Sequence, residues 1–150
     1  MKKSPETIKL EEVLRSSKIV AGGFLGTDTR SLTEIIDADL AVVDSLGYDQ
    51  AEVAGRMREI TNAAKTGLSS RVKINERLTA WIDEAKGVIV CPWPHPAGFA
   101  KRVTTVIDIE TNEQICWSDL NIHLIERHGF FEGKGSSMRI EPKKLINLIF

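Results

Sequence analysis

Val103-Thr104-Thr105-Val106-Ile107-Asp108-Ile109, then Glu110-Thr111-Asn112-Glu113, then Gln114-Ile115-Cys116-Trp117 and directly Ser118-Asp119 form the stretch that decides the fold. Two runs rich in β-branched and aromatic residues flank a polar turn, the pattern of paired antiparallel strands. Ser118-Asp119 then caps a helix reaching His128, with Leu120, Ile122, Leu124 and Ile125 on one side and Gly129 as its stop. Strand, turn, strand and helix in that order, without a βαβ crossover, predict a small antiparallel sheet and the α+β class.

Upstream, Ser31-Leu32-Thr33-Glu34 has the form of a capping box, with Glu34 reaching back to the free backbone N–H. Leu32, Ile35, Ile36, Leu40 and Val43 follow at helical spacing, with Asp37 and Asp44 outside and Gly47 as the left-handed stop. Asp49 to Glu52 opens a second helix that turns Val53, Met57, Ile60 and Ala64 inward and ends at Gly67. The two make an N-terminal αα-hairpin packed on the sheet. Before it, Ser4-Pro5 reads as an N-cap with a first-turn proline and Leu10, Val13 and Leu14 as a short stripe; Ile19 to Leu25 is a short strand or a loop. Asn75 to Gly87 fits a helix, and equally a hairpin arm turning at Glu84 to Gly87 into Val88-Ile89-Val90; periodicity does not choose. Glu141-Pro142 opens an apolar C-terminal helical segment, Leu145 to Phe150.

The chain has 150 residues, the size of one domain over residues 1–150, and nothing in it resembles a linker or a repeat. Hydrophobic content of 42% and charged content of 27% exclude the disordered and membrane classes. A net charge of -1 gives no global field for nucleic acid or anionic lipid. Met1-Lys2-Lys3 is basic like the start of a signal peptide, but Glu6, Glu11, Glu12 and Arg15 follow where an apolar core would be needed. The expectation is a cytoplasmic protein with no membrane partner, whose two cysteines are thiols or ligands rather than a disulfide.

Every Cys and His lies in one quarter of the chain: Cys91, His95, Cys116, His123 and His128. Zinc takes four N or S ligands, usually as two close pairs. Cys91 with His95 and His123 with His128 are the candidate metal ligands, and zinc the candidate cofactor. Two observations weigh against them. Pro92, Pro94 and Pro96 favour an extended run whose side chains diverge. Residues five apart on a helix also point about 140° away from each other. Cys116 is placed opposite Ile107 on the face of Val103, Thr105 and Ile109, as a small buried hydrophobe. Cys91 ends a strand at a proline-rich loop and is the expected accessible thiol, a candidate nucleophile with His95 or His128 as its base.

Asn121 and His128 fall near the middle of the apolar arc of the last helix. Either His128 holds a backbone carbonyl at the helix end, the favoured choice, or both line a pocket floor. Gly129 to Ser137 holds three glycines and Lys134 but departs from a phosphate-binding loop, having Gly135 where Ser or Thr should follow the lysine. Leu46-Gly47-Tyr48 resembles the turn of a helix-turn-helix, with Arg56, Arg58 and Lys65 beyond it; Asp49 and Glu52 would repel phosphates. Trp93, His95, Phe99, Lys101 and Arg102 form a short basic–aromatic run able to stack single-stranded bases.

The leading expectation is a non-enzymatic binding or interaction protein of unassigned ligand and oligomeric state, using loops 91–101 and 129–139. The loops would emerge side by side and gather His95, His128, Lys101, Lys134 and Arg139 around Trp93, Phe130 and Phe131. Such a site, with Asn121 in its floor, suits a small anion or an acidic peptide or protein. A Cys/His-based, metal-assisted enzyme with Cys91, His95 and His128 as catalytic candidates is the first alternative. Weak nucleic-acid binding is the second.

Overall fold

A computed structural model describes residues 3–150; the Met1-Lys2 start of the basic N-terminus lies outside the described residues. The chain runs α1 (Pro5–Arg15), α2 (Leu32–Ser45), α3 (Gln50–Lys65), β1 (Val72–Lys73), β2 (Leu78–Val90), β3 (Gly98–Asp108), β4 (Gln114–Ser118), α4 (Asp119–His128) and α5 (Pro142–Ile149). The four strands form one antiparallel meander in the order β1-β2-β3-β4, so the fold is α+β. No helix among the described residues is long and apolar enough to cross a membrane.

The capping residues do what their chemistry allows. Ser4 and Ser31 accept the backbone N–H of Thr7 and Glu34. Glu34 does not complete a box, because its carboxylate accepts the Ser31 hydroxyl instead of the backbone N–H. Asp49 and Glu52 form the full reciprocal box at α3. Gly47 takes the left-handed φ of 85° that lets α2 stop and α3 start within a few residues. The two helices then have different main partners. α3 lies on β2, β3 and α4, and α2 leans on α5. Val53, Met57, Ile60 and Ala64 are fully buried as the α3 stripe requires; Leu40 is only half-buried, at the margin of the same core.

The segment left open by periodicity is a strand. Glu84 to Gly87 is not a turn: β2 continues through it with a bulge between Ala85 and Val88, where Gly87 has φ 106°. The reversal comes later, at Cys91 to Ala97, closed by the Cys91 N–H donating to the Ala97 carbonyl at 3.0 Å. Ile19 to Leu25 is a loop. The β3–β4 hairpin forms with Cys116 opposite Thr105, not Ile107.

A larger correction concerns the covered face of the sheet. Thr104, Val106, Ile115 and Trp117 face the core under α3, with the Trp117 indole donating to Thr61, whose hydroxyl meets that of Thr104. Cys116, on the other face, is exposed, while Cys91 is buried. That reverses the expected accessibility of the two thiols. Alternation in β3 favours the face of Val103, Thr105 and Ile107, that in β4 favours the face of Ile115 and Trp117, and α3 covers the second. Phe130 and Phe131 are also fully buried, at the join of the two core clusters, rather than displayed on a loop.

Candidate metal centre

The loop after β2 and the last helical turn of α4 meet at one point. Pro94 sits inside a tight turn in which the His95 N–H donates to the Trp93 carbonyl at 2.8 Å. The prolines therefore bend the loop rather than extend it, and Cys91 and His95 end on the same side. Trp93 lies flat on His128 and edge-on to Phe130, which fixes the loop against the helix. α4 ends at Gly129 with φ 62°, and His128 is its last residue.

Cys91 Sγ, one ring nitrogen each of His95, His123 and His128, all lie within 4.8 Å of one another. His95 Nε2 is 3.1 Å from His128 Nε2 and 3.4 Å from His123 Nε2, and Cys91 Sγ is 3.6 Å from His128 Nε2. The angular objection from the helical wheel fails because the imidazoles are long. His123 and His128 leave α4 in different directions, yet their rings lie 5.3 Å apart beside the helix. His128 thus faces the other three side chains instead of a backbone carbonyl.

Burial works against charge on three of the four groups. Burial pushes the Cys91 thiol up. Burial, then the neighbouring imidazoles, push His128 down to about 4 and lower His123 as well. Neutral imidazoles keep a lone pair, and hydrogen bonding cannot use all of these. His95 Nε2 faces two other Nε2 atoms and can give a proton to one of them only. A cation at the centre would take every lone pair at once.

The other candidates go elsewhere. Asn121 is buried in a capping box with Ser118, and its amide donates to Glu132 at 2.8 Å. Arg139 donates to Asp39, Glu141 and the Glu132 carbonyl. Lys134 is exposed, its backbone N–H bound by Asp28. Lys101 lines a different cavity. The two loops do meet, with the His95 and His128 rings 5.2 Å apart, but Lys101 and Arg139 do not join them there. On α3, Arg58 is held by Glu126 and Arg56 by the Ile149 carbonyl and Glu59, so both have partners within the chain. No family model, curated protein or solved structure matches this chain.

Proposed function

We propose that this is a zinc-binding protein in which one ion, held by Cys91, His95, His123 and His128, fastens the Cys91–Ala97 loop to the end of α4, and that it acts as a binding or interaction protein. The observation that carries this is metric. Zinc–nitrogen bonds of about 2.0–2.1 Å and a zinc–sulfur bond of about 2.3 Å give tetrahedral edges of about 3.4 Å between nitrogens and about 3.6 Å between nitrogen and sulfur. The three shortest separations in the cluster, 3.1, 3.4 and 3.6 Å, lie within about 0.3 Å of those edges, and all four atoms lie within 4.8 Å of one another. One thiolate with three imidazoles also suits zinc in donor type.

Four protein ligands complete a tetrahedron, the arrangement of structural sites; catalytic zinc keeps a position open for water or substrate. This supports binding over metal-assisted catalysis. A nucleophilic Cys91 would need a lowered thiol pKa and access, and burial works against both.

Elemental analysis of protein prepared in zinc-replete medium should find one zinc per chain, falling to background in Cys91→Ser and His123→Ala. Cobalt titrated into the metal-free protein should give the near-ultraviolet thiolate charge-transfer band and the visible bands of a tetrahedral ion, with the former missing in Cys91→Ser. Absence of zinc together with a featureless cobalt titration would overturn the proposal.

A further inference from the structure

A second cavity, away from the four metal-ligand side chains, has a different character. The Ile19–Phe24 loop, β2, β3, the start of α4 and the segment from Glu132 to Met138 line a half-open cavity of about 450 Å³. Small-molecule sites usually occupy about 300–1,000 Å³, with apolar walls and a few placed polar groups. Here the walls are Ile19, Val20, Phe24, Ile89, Val103 and Leu120.

Glu132 is the unusual member of the lining. It is 4% exposed, and its φ of 68° is a left-handed value that side chains other than glycine, asparagine and aspartate rarely adopt. Its Oε1 accepts the Ser136 hydroxyl and its Oε2 the Asn121 amide. Both donors are neutral, so neither balances a buried negative charge. Arg139 gives its N–H groups to Asp39, Glu141 and the Glu132 backbone carbonyl rather than to the carboxylate. Burial accordingly pushes the Glu132 carboxyl up, with Arg139 acting on it only from a distance. Around the cavity Asp83, Glu84 and Glu132 face Lys101 and Arg102, and Arg102 is already paired with Glu84 and Asp119. Three carboxylates thus line the cavity against two cations, one of which is already paired.

We infer that this cavity binds a small organic amine, its apolar body against Ile19, Val20, Phe24 and Leu120 and its ammonium group at the Glu132 carboxylate. A cation there would form charge-assisted hydrogen bonds with lone pairs that Ser136 and Asn121 leave free. The inference does not depend on zinc.

Calorimetric titration with n-octylamine, n-octanol and n-octanoate holds the apolar body constant and changes the head group. The amine should bind saturably and at least about tenfold more tightly than the alcohol, a preference that Glu132→Gln removes. Ala21→Trp, on the exposed part of the lining loop, should fill the cavity and abolish amine binding while leaving the circular dichroism unchanged. Equal binding of amine and alcohol, tighter binding of the acid, no binding of any probe, or undiminished amine binding in Ala21→Trp would each overturn the assignment. Where Glu132→Gln does not fold, the head-group series and Ala21→Trp decide alone.

Discussion

Trp93 lies flat on His128, with ring centroids 4.1 Å apart and planes 9° from parallel. The stack sets the direction of the His128 Nε2 lone pair, because the imidazole cannot turn about its own axis without losing the contact. Groups that orient a metal ligand from outside the coordination sphere commonly change affinity by about 10–100-fold. Trp93→Leu should keep the loop apolar but weaken zinc binding by about tenfold, measured by competition with a chromophoric chelator. Unchanged affinity would mean the ring is held in place by the loop alone.

The thiols should react in the order Cys116 before Cys91. Cys116 is exposed on the open face of β4, whereas Cys91 is 6% exposed and packed with Leu14, Phe24 and Phe130. Maleimide labelling of the native protein followed by peptide mass mapping should find the adduct on Cys116. Preferential modification of Cys91 would place the loop outside the core.

Much of this fold is legible in the residues. Ser4, Ser31, Asp49 and Ser118 all cap the helices they were expected to start, and Gly47 and Gly129 take the left-handed stops. The four clustered side chains were legible as a set of residue types. The meeting of His95 with His128 follows from the expected neighbouring loops; that Cys91 and His123 join them depends on a turn at Pro94 and on side-chain reach around α4, which spacing does not encode. Cys116 came out exposed because the apolar residues of β3 and of β4 favour opposite faces, and only α3 packing says which one is covered. Glu132 gave no signal, being a charged residue beside glycines in a segment that reads as surface.

Gly133 in that segment is explained by close contact of two backbones. A Cβ on Gly133 would stand 2.3 Å from the Leu25 carbonyl oxygen and 2.7 Å from its Cα, where the Gly133 N–H donates to the Phe24 carbonyl. Backbone cannot swing aside as a flexible side chain can. Gly133→Ala should lower stability by about 2–3 kcal/mol, read from urea unfolding. Gly55 in α3 has open space around its Cβ position and ordinary helical φ, so Gly55→Ala should raise stability by about 0.5–1 kcal/mol. Equal effects of the two changes would refute the crossing as the reason for Gly133.

Asp28 ties the same two segments together electrostatically. Its carboxylate accepts the Arg30 guanidinium and backbone N–H and the Lys134 backbone N–H. The Arg30 guanidinium is the largest influence and holds the carboxyl well below the usual range, against the opposing effect of burial. A carboxyl lowered in the folded state stabilises the protein at pH values above its unfolded pKa, near 3.8, and that contribution is lost as pH falls through the folded pKa. Asp28→Asn should therefore melt below the wild type at neutral pH, by about 1–3 kcal/mol in stability, with the gap narrowing under acid. A gap that is constant from pH 7 to about pH 2 would show that the charge is not what matters.

Removing zinc should loosen one arm of the molecule and spare the rest. The core under α3 contains Met57, Ile60 and Leu78, each fully buried and remote in sequence from the proposed ligands. The outer part of the β2–β3 hairpin has no comparable support. Val88 is 66% and Val90 50% exposed, the pairing there passes the bulge, and beyond it Ile89, Phe99, the loop packing and the proposed ion hold the arm in place. Metal binding free energy appears as local ordering wherever the ligands are otherwise loosely held. Chelation should leave the far-ultraviolet circular dichroism nearly unchanged. Amide exchange should quicken by about tenfold or more across residues 88–100 and in the last turn of α4, with α3 protected as before. Uniform acceleration through α3 and the sheet would mean the ion supports the global fold, and no change at residues 88–100 would separate the arm from the cluster altogether.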